Sequence, residues 1–145
     1  CCAVGAASVG ASAEVVAKAK LLGEKIGMAF QIKDDLFDYG DAEIGKPTGI
    51  DIKEKKMTLP LIYALNHASW SDKRNIINLV KNHSENPKKV TEVIDFVKKS
   101  GGIQYTTEVM KRFVKEANDI LFTFPDSAFR QSLHDLVLFS IERTK

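Results

Sequence analysis

The segment AEVVAKAKLLGEKIGMAFQIKDDLFDY, residues 13–39, decides the fold class of this chain. Its apolar residues recur at steps of three and four, at Val15, Ala19, Leu22, Ile26, Ala29 and Phe30. That spacing is typical of one face of an α-helix and differs from the alternation of a β-strand. Gly40 follows the last periodic residue and predicts the C-terminal stop of the helix. We therefore predict one long helix over residues 13–39.

Most of the chain after this segment also has a helical pattern of apolar residues. Residues 41–57 lack the pattern and predict a loop, and loops of that length in compact domains are often functional. Further helices are predicted over 58–69, after an N-cap at Ser71, from Pro87, over 103–122, and from a cap at Asp126 or Ser127 to the C-terminus. No segment predicts a strand, so the expected fold is all-α, with six or seven helical segments packed on one another.

Composition excludes several classes of protein. The 145 residues are 44% hydrophobic and 28% charged, with 4 Pro and 9 Gly, which excludes a disordered or collagen-like chain. The net charge of +2 gives no support for nucleic-acid binding. The apolar run 1–13 is shorter than the ~20 residues of a membrane span and has no basic flank typical of a signal peptide. We expect a cytoplasmic protein without a membrane span.

Cysteine, histidine and tryptophan indicate no site of their own. The two cysteines, Cys1 and Cys2, are adjacent, which suits neither a structural disulfide nor zinc, and buried reduced thiols are expected. The three histidines are far apart in sequence and lack ligand spacing: His67, His83 and His134. Trp70 is expected to pack in a turn between helices.

A cluster of carboxylates ends the predicted helix. Asp34 and Asp38 are one turn apart and share a face, and Asp35 lies about 100° round from Asp34. Like charges at this spacing repel, and a hard divalent cation relieves the repulsion. Mg²⁺ takes one or two protein carboxylates and completes its shell with water and phosphate oxygens. The cluster indicates a metal site, with a solvated acidic helix face as the alternative, and the apolar neighbours Leu36 and Phe37 favour the metal site.

The predicted loop after the helix is rich in glycine and lysine. It contains Gly45-Lys46, Gly49-Ile50-Asp51 and Lys53-Glu54-Lys55-Lys56. Because lysine ammonium groups neutralise phosphate oxygens while a metal bridges carboxylate to phosphate, loop and helix end together form a workable diphosphate site. The spacing of a Walker phosphate loop is absent. Lys53 and Lys55 are expected to be solvated, as residues of charge runs usually are.

Taken in order, these segments resemble one known family. Residues 27–39 contain the pattern F-Q-x-x-D-D-x-x-D, followed by G-K at 45–46, G-x-D at 49–51 and K-x-T-L-P at 56–60. The series is similar to the region around the second aspartate-rich motif of the trans-type isoprenyl (polyprenyl) diphosphate synthases. Residues 101–103 and 141–145 also resemble the C-terminal part of the family, so the resemblance covers essentially the whole chain.

The resemblance implies a role for each matching residue. Asp34, Asp35 and Asp38 would bind Mg²⁺ ions that bridge to the allylic diphosphate. The remaining positions would bind substrate: Gln31 on the allylic side, Lys46 and Lys56 at diphosphate oxygens, Asp51 through water at a metal, and Arg143 over the homoallylic diphosphate.

The resemblance also implies a fold and a reaction. The fold would be the C-terminal part of a helical bundle of the isoprenoid synthase type. The enzyme would be a prenyltransferase, in which an allylic diphosphate ionises, isopentenyl diphosphate adds to the carbocation, and a proton leaves to give a longer polyprenyl diphosphate. Mg²⁺ and lysines would stabilise the departing diphosphate, and apolar helix walls would shelter the carbocation. Family members are usually homodimers, and the small residues of 1–13 suit such an interface.

We expect the chain to carry about half of such a site. The family's first aspartate-rich motif, its arginines for the second diphosphate and its Lys-Thr pair lie before the matching region, and residues 1–145 do not contain them. We therefore interpret residues 1–145 as the C-terminal part of a polyprenyl synthase domain, inactive in prenyl transfer by itself. Two alternatives stay open: a non-catalytic helical subunit of a prenyl synthase, and a fragment of a terpene cyclase.

Overall fold

The computed structural model describes residues 1–40 and 48–142. Across these two ranges it contains eight helices and no strand, which confirms the all-α prediction. The helices are α1 (Cys2–Ser8), α2 (Ala13–Phe37), α3 (Ile50–Lys53), α4 (Leu59–Asn66), α5 (Trp70–Asn82), α6 (Pro87–Lys99), α7 (Gly102–Leu121) and α8 (Ala128–Glu142). None of them combines the length and the apolarity that crossing a bilayer requires.

Two boundaries around the long helix differ from the prediction. α2 ends at Phe37, and the N–H groups of Asp38, Tyr39 and Gly40 each bond a carbonyl three residues back, which is tight-turn geometry. The predicted loop 41–57 was wrong in part, because it contains the one-turn helix α3. Four residues are too few to show a helical period, and Gly49 begins this turn with a φ of 78° that suits glycine.

The cap of α5 also corrects the sequence prediction. Ser69, rather than Ser71, is the N-cap, and its Oγ accepts the N–H of Asp72 at 3.1 Å. Trp70 is therefore the first residue of the helix. It is 75% exposed instead of packed, with the guanidinium of Arg74 5.4 Å from its ring.

Other helix starts follow the expected chemistry. Asn86 caps α6 ahead of Pro87, and its Oδ1 accepts the N–H of Lys88 at 3.1 Å. Of the two candidate caps of α8, Ser127 makes the bond, because its Oγ accepts the N–H of Arg130 at 3.1 Å. Proline at the start of α6 costs little because the first N–H groups of a helix have no partner within it.

The chain divides into two compact units, and residues 32–108 form one of them. In this unit α6 packs against α3, α4 and α5. Its core is built from buried apolar side chains, among them Tyr39, Ile52, Leu61, Ala64, Val93 and Val97. Gly102 allows the start of α7 to approach α4 closely, since a Cβ there would lie 2.5 Å from the carbonyl oxygen of Pro60.

The other unit consists of residues 1–31 together with residue 109 onward. Leu22, Ala117 and Leu121 form its buried centre. Lys25 joins α2 to α7, with its Nζ 2.7 Å from Glu116 Oε2 and 5.2 Å from the ring centre of Phe113.

The first helix of this unit is only partly covered. α1 has no buried residue, and Val4 is 71% exposed. Cys1 is exposed and Cys2 half-buried, both as free thiols, so the prediction of unpaired cysteines is confirmed and that of burial was wrong.

Candidate diphosphate and metal site

The sequence-predicted site residues fall at the end of α2 and just after it. Asp34 and Asp35 are half-buried on the last turn of α2, and Asp38 follows in the adjoining turn. All three belong to the unit formed by residues 32–108. Gln31 is exposed on α2 and belongs to the other unit. Two further predicted positions, Lys46 and Arg143, lie outside the described residues.

Asp38 is the most buried of the predicted ligands, with 8% of its surface exposed. Its Oδ1 accepts the N–H of Ile50 at 2.7 Å, and its Oδ2 accepts the N–H of Asp51 at 3.2 Å. The N–H of Gly49 donates to the backbone carbonyl of Asp38 at 3.0 Å. Three consecutive backbone N–H groups are thus satisfied by one residue, at the start of α3 where a helix has no internal partners for them.

The environment of Asp38 acts on its pKa in opposite directions. Burial raises the pKa of this carboxyl above its usual value, because the charged form loses water. The hydrogen bonds from the N–H groups of Asp51 and Ile50 lower the pKa, and burial outweighs them. The two donors favour the carboxylate form, because an ionised oxygen accepts a hydrogen bond more strongly than a neutral one.

Asp51 and Lys56 are joined to each other within the segment that Asp38 holds at its start. Lys56 Nζ donates to Asp51 Oδ1 at 3.0 Å and lies 2.6 Å from Glu54 Oε2. The backbone N–H of Lys56 also donates to the carbonyl of Asp51 at 2.8 Å. The carboxylates of Glu54 and Asp51 raise the pKa of the Lys56 ammonium above its usual range, so it stays charged. Its side chain is 58% exposed and is accessible to an anion.

A buried hydrogen bond fixes the far end of the same segment. The phenol of Tyr39 lies 2.7 Å from Thr58 Oγ1, and both residues are buried. Burial raises the pKa of Tyr39 further above its already high value, so the phenol keeps its proton. Adjacent residues at the end of α2 therefore hold both ends of residues 49–58: Asp38 binds the start and Tyr39 the end.

The aspartates of this site suit a metal ion that takes its remaining ligands from a bound phosphate and from water. Among residues 1–40 and 48–142, no group of three or more His, Cys, Asp or Glu side chains converges to hold a metal ion. Asp38 directs both of its oxygens to the N–H groups of Ile50 and Asp51. Asp34 and Asp35 are consecutive, half-buried residues on the last turn of α2. A pair of carboxylates, with water and phosphate oxygens completing the shell, is a usual environment for Mg²⁺.

Three features of the site could not be seen in the sequence. They are the helix α3, the bonds of Asp38 to its start, and the Tyr39–Thr58 bond. The contacts join residues 12 to 19 positions apart, beyond the reach of any helical or strand period. Gly49 was the available signal, because a glycine between an aspartate-rich helix end and an apolar run often marks a positive φ.

Comparison with known proteins identifies the family of the chain. The Polyprenyl synthetase family model matches residues 1–97. The short chain isoprenyl diphosphate synthase of Methanothermobacter thermautotrophicus is 36% identical over 141 residues, covering 96% of this chain and 43% of that protein. The chain therefore spans less than half the length of this relative.

Solved structures agree with this match. The geranylgeranyl pyrophosphate synthase of Bacteroides thetaiotaomicron superposes with a TM-score of 0.90 at 41% identity, covering 99% of this chain and 48% of that one. The geranylgeranyl pyrophosphate synthase of Corynebacterium glutamicum, complexed with calcium and isoprenyl diphosphate, gives a TM-score of 0.82 at 31% identity over 97% of this chain and 44% of that one. On its sequence and its fold, this chain belongs to the polyprenyl synthetase family.

Proposed function

We propose that the end of α2 and the segment after it bind the diphosphate of an allylic prenyl substrate through Mg²⁺. The observation that carries the proposal is the clasp of residues 49–58 onto the end of α2, made by Asp38 and Tyr39. It keeps the ammonium of Lys56 and the carboxylates of Asp34 and Asp35 within one compact unit. Binding a diphosphate through a metal requires carboxylates that hold the metal ion and a cationic group that neutralises the remaining phosphate oxygens.

The choice of Mg²⁺ follows from the ligands. The related Corynebacterium glutamicum enzyme was crystallised with calcium and isoprenyl diphosphate, and both Ca²⁺ and Mg²⁺ prefer oxygen ligands. Mg²⁺ is the ion that needs only one or two protein carboxylates and takes phosphate oxygens for the rest. Asp34 and Asp35 supply that number.

The protein groups then have defined roles in prenyl transfer. Asp34 and Asp35 hold the metal, which when bound withdraws charge from the leaving diphosphate. Lys56 neutralises a diphosphate oxygen, with Lys46 as the second predicted lysine and Arg143 over the homoallylic diphosphate. Asp51 keeps the Lys56 ammonium in place and would assist a bound metal through water. Gln31 contacts the allylic substrate. The net reaction joins isopentenyl diphosphate to the allylic carbon and releases diphosphate and a proton.

An assay of product formation tests this function. The protein expressed from its complete gene is incubated with labelled isopentenyl diphosphate, farnesyl diphosphate and Mg²⁺. We expect a longer labelled prenyl diphosphate, none of it with EDTA, and at least ~100-fold less with Asp34→Asn, because the leaving group loses its electrostatic stabilisation. Lys53→Met is the matched control, since Lys53 is exposed and assigned no contact to substrate.

The same assay separates the two alternatives. A terpene cyclase would consume farnesyl diphosphate without incorporating isopentenyl diphosphate. A non-catalytic subunit would form no product alone and would restore product formation when mixed with a catalytic partner. The 145-residue chain by itself is expected to form no product, because it carries about half of the predicted site.

We also propose that the enzyme is a cytoplasmic homodimer. The exposure of Val4 in α1, at 71%, and of Val9 just after it, at 80%, supports a face available to a second copy. Size-exclusion chromatography with light scattering of the protein from its complete gene gives the mass directly. A monomer at micromolar concentration would contradict the dimer.

A further inference from the structure

We propose that Asp38 is a positioning residue, which clamps the start of α3 and thereby places Asp51 and Lys56 for diphosphate binding, rather than a ligand of the metal. The proposal rests on the proposed function of this site. It assigns to the third aspartate of the cluster a role that differs from the one its sequence position implies.

The hydrogen bonds of Asp38 carry the first step of the argument. Both of its carboxylate oxygens accept backbone N–H groups, from Ile50 and Asp51, and its carbonyl accepts a third, from Gly49. The residue is 8% exposed. Turning this buried carboxylate toward a metal would take its oxygens from two helix donors that have no other partner within α3, and leaving such donors unsatisfied in a buried place is costly.

The second step leads from the clamp to the lysine. α3 has a single turn, which is too short to be stable by itself, so its geometry depends on contacts made at its ends. Asp51 is bonded to Asp38 through its N–H and to Lys56 through both its carbonyl and its Oδ1. A continuous series of hydrogen bonds therefore joins Asp38 to the Lys56 ammonium.

A third observation shows that the clamp leaves little freedom. Gly49 has a φ of 78°, and a Cβ there would lie 2.3 Å from Val90 Cγ1 of α6. The segment is thus pressed between Asp38 and α6, with its far end bonded to Tyr39 through Thr58.

The test uses Asp38→Asn, Asp38→Ala and Asp34→Asn in the 145-residue chain, with the exposed Asp119→Asn as control. Amide hydrogen exchange followed by NMR reports the clamp at Ile50 and Asp51. In Asp38→Ala we expect exchange at both amides to accelerate about tenfold, with a smaller effect in Asp38→Asn, which keeps one acceptor oxygen. Asp34→Asn and Asp119→Asn are expected to leave both amides unchanged.

Calorimetry then links the clamp to the lysine. With Mg²⁺ and inorganic pyrophosphate as the probe, we expect Asp38→Ala to weaken affinity about tenfold in the native background and less than about twofold when Lys56→Met is already present. With Mn²⁺ alone, we expect Asp34→Asn to weaken binding and Asp38→Ala to leave it unchanged. A general loss of packing would not produce this dependence on Lys56.

Either of two results would overturn the inference. One is unchanged exchange at Ile50 and Asp51 in Asp38→Ala, and the other is a loss of Mn²⁺ affinity in Asp38→Ala as large as that in Asp34→Asn. The proposed function fails separately, if Asp34→Asn and Lys56→Met both leave pyrophosphate affinity unchanged. The exchange data test the bonds of Asp38 to Ile50 and Asp51 whether or not pyrophosphate binds as proposed.

Discussion

Gly102 lies at a position where the fold leaves no room for a side chain. A Cβ at this position would lie 2.5 Å from the carbonyl oxygen of Pro60 and 3.1 Å from Val97 Cγ1, and the backbone oxygen cannot swing aside as a side chain would. We predict that Gly102→Ala destabilises the protein by about 1–3 kcal/mol, the usual cost of overpacking. Urea denaturation measures the change.

Gly27 provides the matched control for this substitution. It lies within α2, and a Cβ there would meet no atom within 4 Å. Gly27→Ala is therefore expected to be neutral or to stabilise by up to about 1 kcal/mol, through helix propensity alone. Equal effects of the two substitutions would show that the close approach of Gly102 to Pro60 is absent.

Tyr39 offers a second test with a single atom removed. Tyr39→Phe keeps the ring in the core and removes the hydroxyl that bonds Thr58 Oγ1 at 2.7 Å. We predict a loss of about 1–2 kcal/mol, because the buried hydroxyl of Thr58 is left without this partner. In a double-mutant cycle with Thr58→Val, the second substitution should cost less than it does alone, and strict additivity would contradict the bond.

At the scale of the helices, the N-cap of α5 differs between the sequence prediction and the structure. The sequence indicated Ser71 as the cap, whereas Ser69 accepts the N–H of Asp72. We predict that Ser69→Ala lowers the free energy of unfolding by about 1 kcal/mol and that Ser71→Ala changes it by less than about half of that. Thermal melts of both variants measure this, and a larger effect at Ser71 would restore the sequence prediction.

The helices differ in how far the sequence reveals them. Long helices such as α2 and α7 were predictable within about two residues, because each repeats its apolar period over several turns. α3 was not predictable, since one turn carries no period and depends on the carboxylate of Asp38, 12 residues before it. The grouping of Asp34, Asp35 and Asp38 at one helix end needed only helix geometry, but the hydrogen bonds of Asp38 to α3 needed the tertiary fold.

At the scale of the whole molecule, the chain is an all-α member of the polyprenyl synthetase family that spans less than half of its relatives' length. The motif order from Asp34 to Lys56 indicated the family, and the fold agrees with it. Folding brings the ends of residues 49–58 onto Asp38 and Tyr39, the adjacent residues that follow α2, so the predicted metal ligands Asp34 and Asp35 lie in one compact unit with Lys56. We infer that this unit is the Mg²⁺-dependent diphosphate-binding element of the chain.

Calorimetric titration of inorganic pyrophosphate into the 145-residue chain, with and without Mg²⁺, tests this inference most directly. We predict saturable binding in Mg²⁺ that disappears with EDTA and weakens at least about tenfold in Asp34→Asn and in Lys56→Met, with Lys53→Met unchanged. Binding that is equally strong in EDTA, or that is unaffected by both Asp34→Asn and Lys56→Met, would contradict it.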